Sequence, residues 1–192
     1  QERFFQRLYA GVPFWTVSES TRQQLLAHGA RDVRVWPNGT DTEPLPTLPA
    51  KRLGAPLRLI ALARLAPNKR VDHVVRALAL LCEQGCDAEL TIIGWGQDQW
   101  RIEAQVDELG LSDAVTFAGR LDDAKKNIEL QKAHLLLHTS MREGWGLNVI
   151  EANAMGTPAV VYPVGGLVDS TVHGQTGLVS EAETPESLAK AV

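Results

Sequence analysis

Short runs rich in β-formers alternate with stretches of helical periodicity over most of this chain, and that alternation restricts the fold more than any other feature. Adjacent parallel strands need a crossover between them, and the usual crossover is a helix. The clearest unit opens with Leu57-Arg58-Leu59-Ile60-Ala61-Leu62-Ala63, which reads as a strand. After a loop with Pro67, the apolar residues Val71, Val74, Val75, Leu78 and Cys82 fall at helical spacing, and Gly85 is the stop. Further strands are predicted at 88–93, 115–118, 134–139, 158–162 and 177–179. Helices are predicted at 98–109, 122–133, 147–155 and 167–172, and a last one opens at Thr184-Pro185, an N-cap with proline in the first turn. The run 134–139 is nearly continuously apolar, as buried parallel strands are. From residue 56 to 192 the pattern predicts one doubly wound α/β domain with a parallel sheet.

The first part of the chain differs. Strand-like runs at 14–17 and 33–36 flank a helix capped by Ser18 or Ser20 and stopped at Gly29. Two strands and two helices bury little by themselves. Residues 1–36 are therefore expected to be the tail of a second, incomplete α/β domain, more mobile than the rest or packed against a neighbouring chain. Residues 37–55, with Pro44, Pro46 and Pro49, read as a linker. The last helix opens close to Val192, so the second domain is expected to be shortened too.

Composition excludes several classes. With 44% hydrophobic and 22% charged residues the chain can build a core, which excludes disorder as its main state. No apolar run approaches the roughly 18 residues needed to cross a bilayer; the longest, 57–66, is broken by Arg58 and Arg64. Gln1-Glu2-Arg3-Phe4-Phe5 is followed by no apolar segment, so it is not read as a signal peptide. Cys82 and Cys86 are too few for a disulfide framework or a four-cysteine zinc site, and they read as reduced thiols of a cytoplasmic chain. A net charge of −4 argues against nucleic-acid binding. Even so, residues 51–76 carry Lys51, Arg52, Arg58, Arg64, Lys69, Arg70 and Arg76 against the single acid Asp72. Such a run is usually a solvated face; the alternative is a local anion site.

Ligands of doubly wound sheets bind at the carboxyl ends of the strands, and the informative loops lie there. Arg64 closes one strand and Lys69 opens the next helix, a pair suited to a phosphate or diphosphate. Gly94-Trp95-Gly96 starts like a dinucleotide fingerprint, but the third glycine is replaced by Gln99 and Arg120 stands where an acid would hold a ribose, so a nicotinamide cofactor is disfavoured. There is no GK[ST] triplet, which excludes a P-loop. The bland reading of the glycine pair is a turn that lets the backbone approach a ligand or a neighbouring strand. Further on, Glu143-Gly144-Trp145-Gly146 makes a tight turn into a helix whose first amides, of Gly146, Leu147 and Asn148, could face an anion. Glu151 lies among Val149, Ile150, Ala152 and Ala154, so it needs a polar partner. Carboxylates suit sugar diols, because one carboxylate accepts two hydrogen bonds. His134 and His138, in or at the end of a buried strand, read as core residues, and His73 and His173 as surface residues.

Glu143 and Glu151 enclose seven residues, and the pattern resembles the E-x7-E motif of retaining glycosyltransferases of the GT-B fold, the family called family 4 or group 1. Ala63-Arg64-Leu65 with Asn68-Lys69-Arg70 resembles that family's diphosphate loop. Ile93-Gly94-Trp95-Gly96 resembles its glycine loop, and Val115-Thr116-Phe117-Ala118-Gly119-Arg120 the segment beside the base. Gly165-Gly166-Leu167, Gly174-Gln175-Thr176-Gly177-Leu178, Val17-Ser18-Glu19-Ser20 and Pro37-Asn38-Gly39-Thr40-Asp41 resemble its later turns and interdomain joint. Asn153 and Trp145 stand where methionine and phenylalanine are common.

The resemblance implies a Rossmann-like C-terminal half of a GT-B fold that binds a UDP- or GDP-sugar, without cofactor or metal. Arg64 and Lys69 would neutralise the diphosphate, Glu143 would hold the transferred sugar, and Glu151 the ribose. Amides of Leu147 and Asn148 would bind the distal phosphate, and backbone near Arg120 the base. Gly94, Gly96, Gly144 and Gly146 complete the implied donor site. The acceptor, whether a glycan, a lipid-linked or a small molecule, would be held by the other domain, which could also attach the protein to the inner membrane face. A nucleotide-binding module without catalysis is the alternative.

Overall fold

The computed structural model describes residues 9, 11–48, 50–51 and 54–192. Arg52 and the first eight residues, with the opening read as no signal peptide, lie outside the described residues.

The large domain is built on a six-stranded, wholly parallel sheet. Its strands are β3 (Leu57–Leu62), β4 (Ala88–Ile93), β5 (Val115–Gly119), β6 (Leu135–His138), β7 (Ala159–Val161) and β8 (Gly177–Val179), in the order β5-β4-β3-β6-β7-β8. The chain moves outward from β3 through β4 to β5, then returns to β6 and moves outward the other way. The order therefore reverses between β3 and β6, which opens a crevice at their carboxyl ends. The intervening helices are α2 (Val71–Glu83), α3 (Gln99–Glu108), α4 (Asp123–Lys132), α5 (Leu147–Ala154), α6 (Gly165–Ser170) and α7 (Pro185–Ala191).

The core follows from these patterns. Val71, Val74, Val75 and Leu78 of α2 are buried against the sheet, as their spacing predicts. Leu81, not Cys82, closes that buried face; Cys82 is only half-buried. On β3, Leu59, Ile60 and Ala61 are all at most 2% exposed, as expected of a central strand covered on both faces. Thr184 caps α7, its hydroxyl accepting from the Ser187 amide at 3.2 Å. Helix α6 begins two residues earlier than periodicity suggests, because Val164 in extended backbone turns the chain into Gly165.

The first segment forms a separate two-stranded parallel sheet, β1 (Phe14–Thr16) with β2 (Val33–Val35), joined by α1 (Glu19–Ala27). Ser18 is the α1 N-cap. Helix α1 lies against α6 of the large domain.

Candidate donor-binding site

Two recesses share Asn148 at the carboxyl ends of the strands. The larger, about 970 Å³, is walled by Arg64, Gly94, Trp95, Arg120, Lys126 and Asn148. Beyond the sheet proper, the loops after β3 and β4 continue to pair: Ala63 N–H donates to Ile93 O at 3.1 Å, and Leu65 N–H to Trp95 O at 3.0 Å. This pairing explains the glycines. A Cβ at Gly94 would lie 1.8 Å from Ala63 O, and one at Gly96 2.1 Å from Leu65 O. Of the two readings open for this loop, the structure places it against a neighbouring strand extension. Arg64 is exposed on the wall, with no ion-pair partner among the described residues. The Asn148 amide donates to Leu62 O and so ties α5 to the end of β3 at the switch point.

The smaller recess, about 310 Å³, gathers Lys69, His138, Glu143 and Leu147, with Val17 and Asn38 arriving from the first segment. Lys69 donates to Glu143 Oε1, and His138 Nε2 lies 3.2 Å from the same oxygen and 3.0 Å from Ser140 Oγ. Burial pushes the Glu143 carboxyl up, but hydrogen bonds from His138 and Lys69 outweigh it and bring the pKa down to about 2. Lys69 ends a 3-10 turn and is followed by Arg70 in the left-handed region, φ 48°. That conformation is costly for a residue with a Cβ. Thr139 Oγ1 holds the strained turn through the carbonyls of Lys69 and Arg70, at 3.0 and 2.8 Å. Arg70 itself pairs with Glu183 at 2.8 Å and lies over the Tyr162 ring.

The 143–146 turn is fixed from below. Gly146 enters α5 at φ 75°, which a larger residue adopts only with strain. Gly166 N–H donates to Glu143 O at 3.2 Å, and a Cβ there would come within 2.6 Å of three backbone atoms of residues 143–145. The amides of Leu147 and Asn148, in the first turn of α5, have no intrahelical carbonyl to reach.

The predicted residues are thus brought to one end of the sheet but not to one point. Arg64, Gly94, Gly96, Arg120 and Asn148 surround the first recess; Lys69, Glu143, Gly144, Gly146, Leu147 and Asn148 surround the second. Arg64 and Lys69, expected as a pair, face different recesses. Glu151 lines neither. It is half-buried and pairs with Lys126 at 3.0 Å. Burial lowers the Lys126 pKa, but the hydrogen bonds to Asp123 and Glu151 outweigh it and raise it overall. The basic run is dispersed rather than one face. Lys51 caps carbonyls at the end of α4, Arg58 binds Lys132 O and His134, and Arg70 reaches Glu183. Two residues were missed by sequence reasoning, Lys126 and the polar role of His138. His138 is 4% exposed, a core residue by burial, yet its position at the carboxyl end of β6 was a signal that its ring could face the site.

Similarity to known proteins gives the family. The family Glycosyl transferases group 1 matches residues 51–192, and the chain belongs to that family. It is 31% identical to 2-deoxystreptamine glucosyltransferase of Streptomyces kanamyceticus, over all of this chain and 52% of that protein. It is 32% identical to glycogen synthase of Mycobacterium tuberculosis, over 88% of this chain and 41% of that one. The fold matches that of Anabaena HepE, solved with UDP and glucose, with a TM-score of 0.79 at 21% identity over 98% of this chain and 55% of that one. The chain spans about half the length or less of these curated relatives. Its sheet and flanking helices are the Rossmann-like domain of GT-B glycosyltransferases.

Proposed function

We propose that this chain is the donor-binding part of a retaining glycosyltransferase that moves a sugar from a UDP- or GDP-sugar to an acceptor hydroxyl, without metal or cofactor. The observation that carries this reading is that Arg64 lines one, and Lys69 and Glu143 the other, of two recesses that share Asn148 of the α5 N-terminus at the same end of the sheet. As the glycosidic bond breaks, charge grows on the departing diphosphate. Fixed cations and free amides stabilise that charge more in the transition state than in the bound donor. Arg64 is available at once; Lys69 would exchange Glu143 for phosphate oxygen. Glu143 would then accept hydroxyls of the sugar and backbone near Arg120 would contact the base, while Glu151, which lines neither recess, would accept the ribose diol once Lys126 moves aside.

Residues 1–36 are proposed as the tail of the acceptor-binding domain, 37–55 as the linker, and 56–192 as the donor domain; these 192 residues alone would bind donor without transferring sugar. Acceptor chemistry then belongs to the rest of the protein. Among the described residues no helix is long and apolar enough to cross a membrane. Free Cys82 and Cys86 fit a reducing, cytoplasmic compartment.

A thermal-shift screen of UDP, GDP and their sugars tests the reading. A ligand that binds only the native state raises its stability by RT ln(1 + [L]/Kd). Stabilisation by one diphosphate and not by its bare nucleoside is expected; no response to any of them overturns the proposal.

A further inference from the structure

We infer that His138 is a positioning residue for Glu143, holding its carboxylate through an Nε2–H hydrogen bond from the end of β6. The inference rests on the reading that Glu143 addresses the donor sugar.

The geometry fixes the tautomer. A neutral imidazole carries one N–H. Nε2 faces Glu143 Oε1 at 3.2 Å and Ser140 Oγ at 3.0 Å. An ionised carboxylate only accepts, so the contact is a hydrogen bond only with the proton on Nε2. Nδ1 is buried without a partner among the described residues. A proton on Nδ1 would leave an unsatisfied buried donor there and set a bare nitrogen against a carboxylate oxygen here, two costs at once. With Nε2 protonated, the hydroxyl oxygen of Ser140 accepts alongside the carboxylate.

The two groups on Glu143 Oε1 differ in kind. Lys69 is a long flexible side chain from a turn and is the one that would leave for the diphosphate. His138 is nearly fully buried in a strand of the central sheet, with its ring oriented by packing. When Lys69 turns away, the His138 N–H remains to keep the carboxylate in place. Donor binding would otherwise free the very group that must meet the sugar.

The test combines a spectroscopic readout with a rescue. In 15N-labelled protein, long-range imidazole correlations, assigned by their loss in His138→Gln, should show His138 as the Nε2–H tautomer. In the full-length enzyme, His138→Leu should lower kcat for hydrolysis of UDP-glucose or GDP-mannose, whichever it turns over, by roughly tenfold to hundredfold. Its Kd for UDP or GDP should stay within about twofold of wild type. His138→Gln, whose amide N–H reaches the same place, should recover much of the lost turnover. An Nδ1–H tautomer overturns the inference. So does a Leu variant with wild-type kcat, or a Gln variant no better than Leu. Failure of the underlying reading looks different: wild-type protein would bind neither UDP nor GDP whatever the tautomer, and Glu143 would then have no donor to be held for.

Discussion

Ser20 donates twice to a single carboxylate oxygen of Asp169, through its amide at 3.0 Å and its hydroxyl at 2.5 Å. This joins the first turn of α1 to α6 across 149 residues of sequence. The contact sits beside the candidate site: Gly165 packs under Ser20, and Gly166 packs under the turn that carries Glu143. The first segment is therefore anchored to the same two-glycine turn that supports the 143–146 turn.

Asp169→Ala should loosen that anchor. Hydrogen bonds to a charged group are worth about 1.5–3 kcal/mol each, and here two end on one oxygen. Amide exchange should accelerate across residues 14–35 with little change across residues 57–93 of the sheet. Equal protection of residues 14–35 in both proteins would show that the anchor does not hold them.

Gly166→Ala should cost more than a glycine substitution elsewhere, because the new methyl meets backbone rather than a movable side chain. Overpacking of this kind costs about 1–3 kcal/mol. Gly39→Ala is the control, since nothing lies within 4 Å of its Cβ. A melting temperature lowered equally by both substitutions would remove the argument for a steric requirement at Gly166.

How much of this was legible in the sequence depends on the scale of the interaction. Strand and helix order could be read because period-2 and period-3.6 patterns are local, and the Ser18 and Thr184 caps because their partners lie three residues away. The loops of the candidate site could be placed because the carboxyl ends of parallel strands share one edge of the sheet. What stayed hidden was long-range and side-chain-specific. Nothing local says that Glu151 pairs with Lys126, that Gly94 and Gly96 are demanded by Ala63 and Leu65, or that Lys69 and Arg64 face different recesses. Those facts follow from how loops distant in sequence are stacked side by side.

Lys69→Ala should weaken binding of a nucleoside diphosphate far more than binding of the bare nucleoside. Loss of one charge-assisted contact costs about 1.5–3 kcal/mol. Part of the wild-type contact is offset by breaking the Lys69–Glu143 pair, so the lower end is expected. Calorimetric titration of both ligands decides; equal losses would place Lys69 outside the phosphate site.

The depressed Glu143 carboxyl gives a pH signature. An unfolded glutamate titrates near 4.3, whereas Glu143 in the fold titrates at about 2. A lowered folded-state pKa contributes stability that is complete above about pH 5 and is lost as the pH falls through the folded value. The stability gap between wild type and Glu143→Gln should therefore be constant above about pH 5 and shrink between about pH 4.5 and 2. Thermal melts across that range check it, and a gap that does not change with pH would mean that the carboxyl is not held by Lys69 and His138.

The last prediction separates the two glutamates. Glu143→Gln should leave the affinity for the bare nucleoside diphosphate nearly unchanged and depress turnover of the full-length enzyme, because its proposed partner is the sugar. Glu151→Gln should weaken the diphosphate complex, because a neutral amide accepts a ribose diol poorly. The opposing account makes Glu151 a structural acid, and its ion pair with Lys126 gives that account substance. The geometry distinguishes the two. Lys126 also bonds Asp123 at 2.9 Å, so removing the Glu151 charge does not leave the lysine without a carboxylate. Apo stability should consequently fall by no more than the ~1 kcal/mol typical of a partly exposed pair, while nucleotide affinity falls measurably. A lowered melting temperature with unchanged affinity would make Glu151 a structural residue. Loss of nucleotide binding in Glu143→Gln alone would reverse the two assignments.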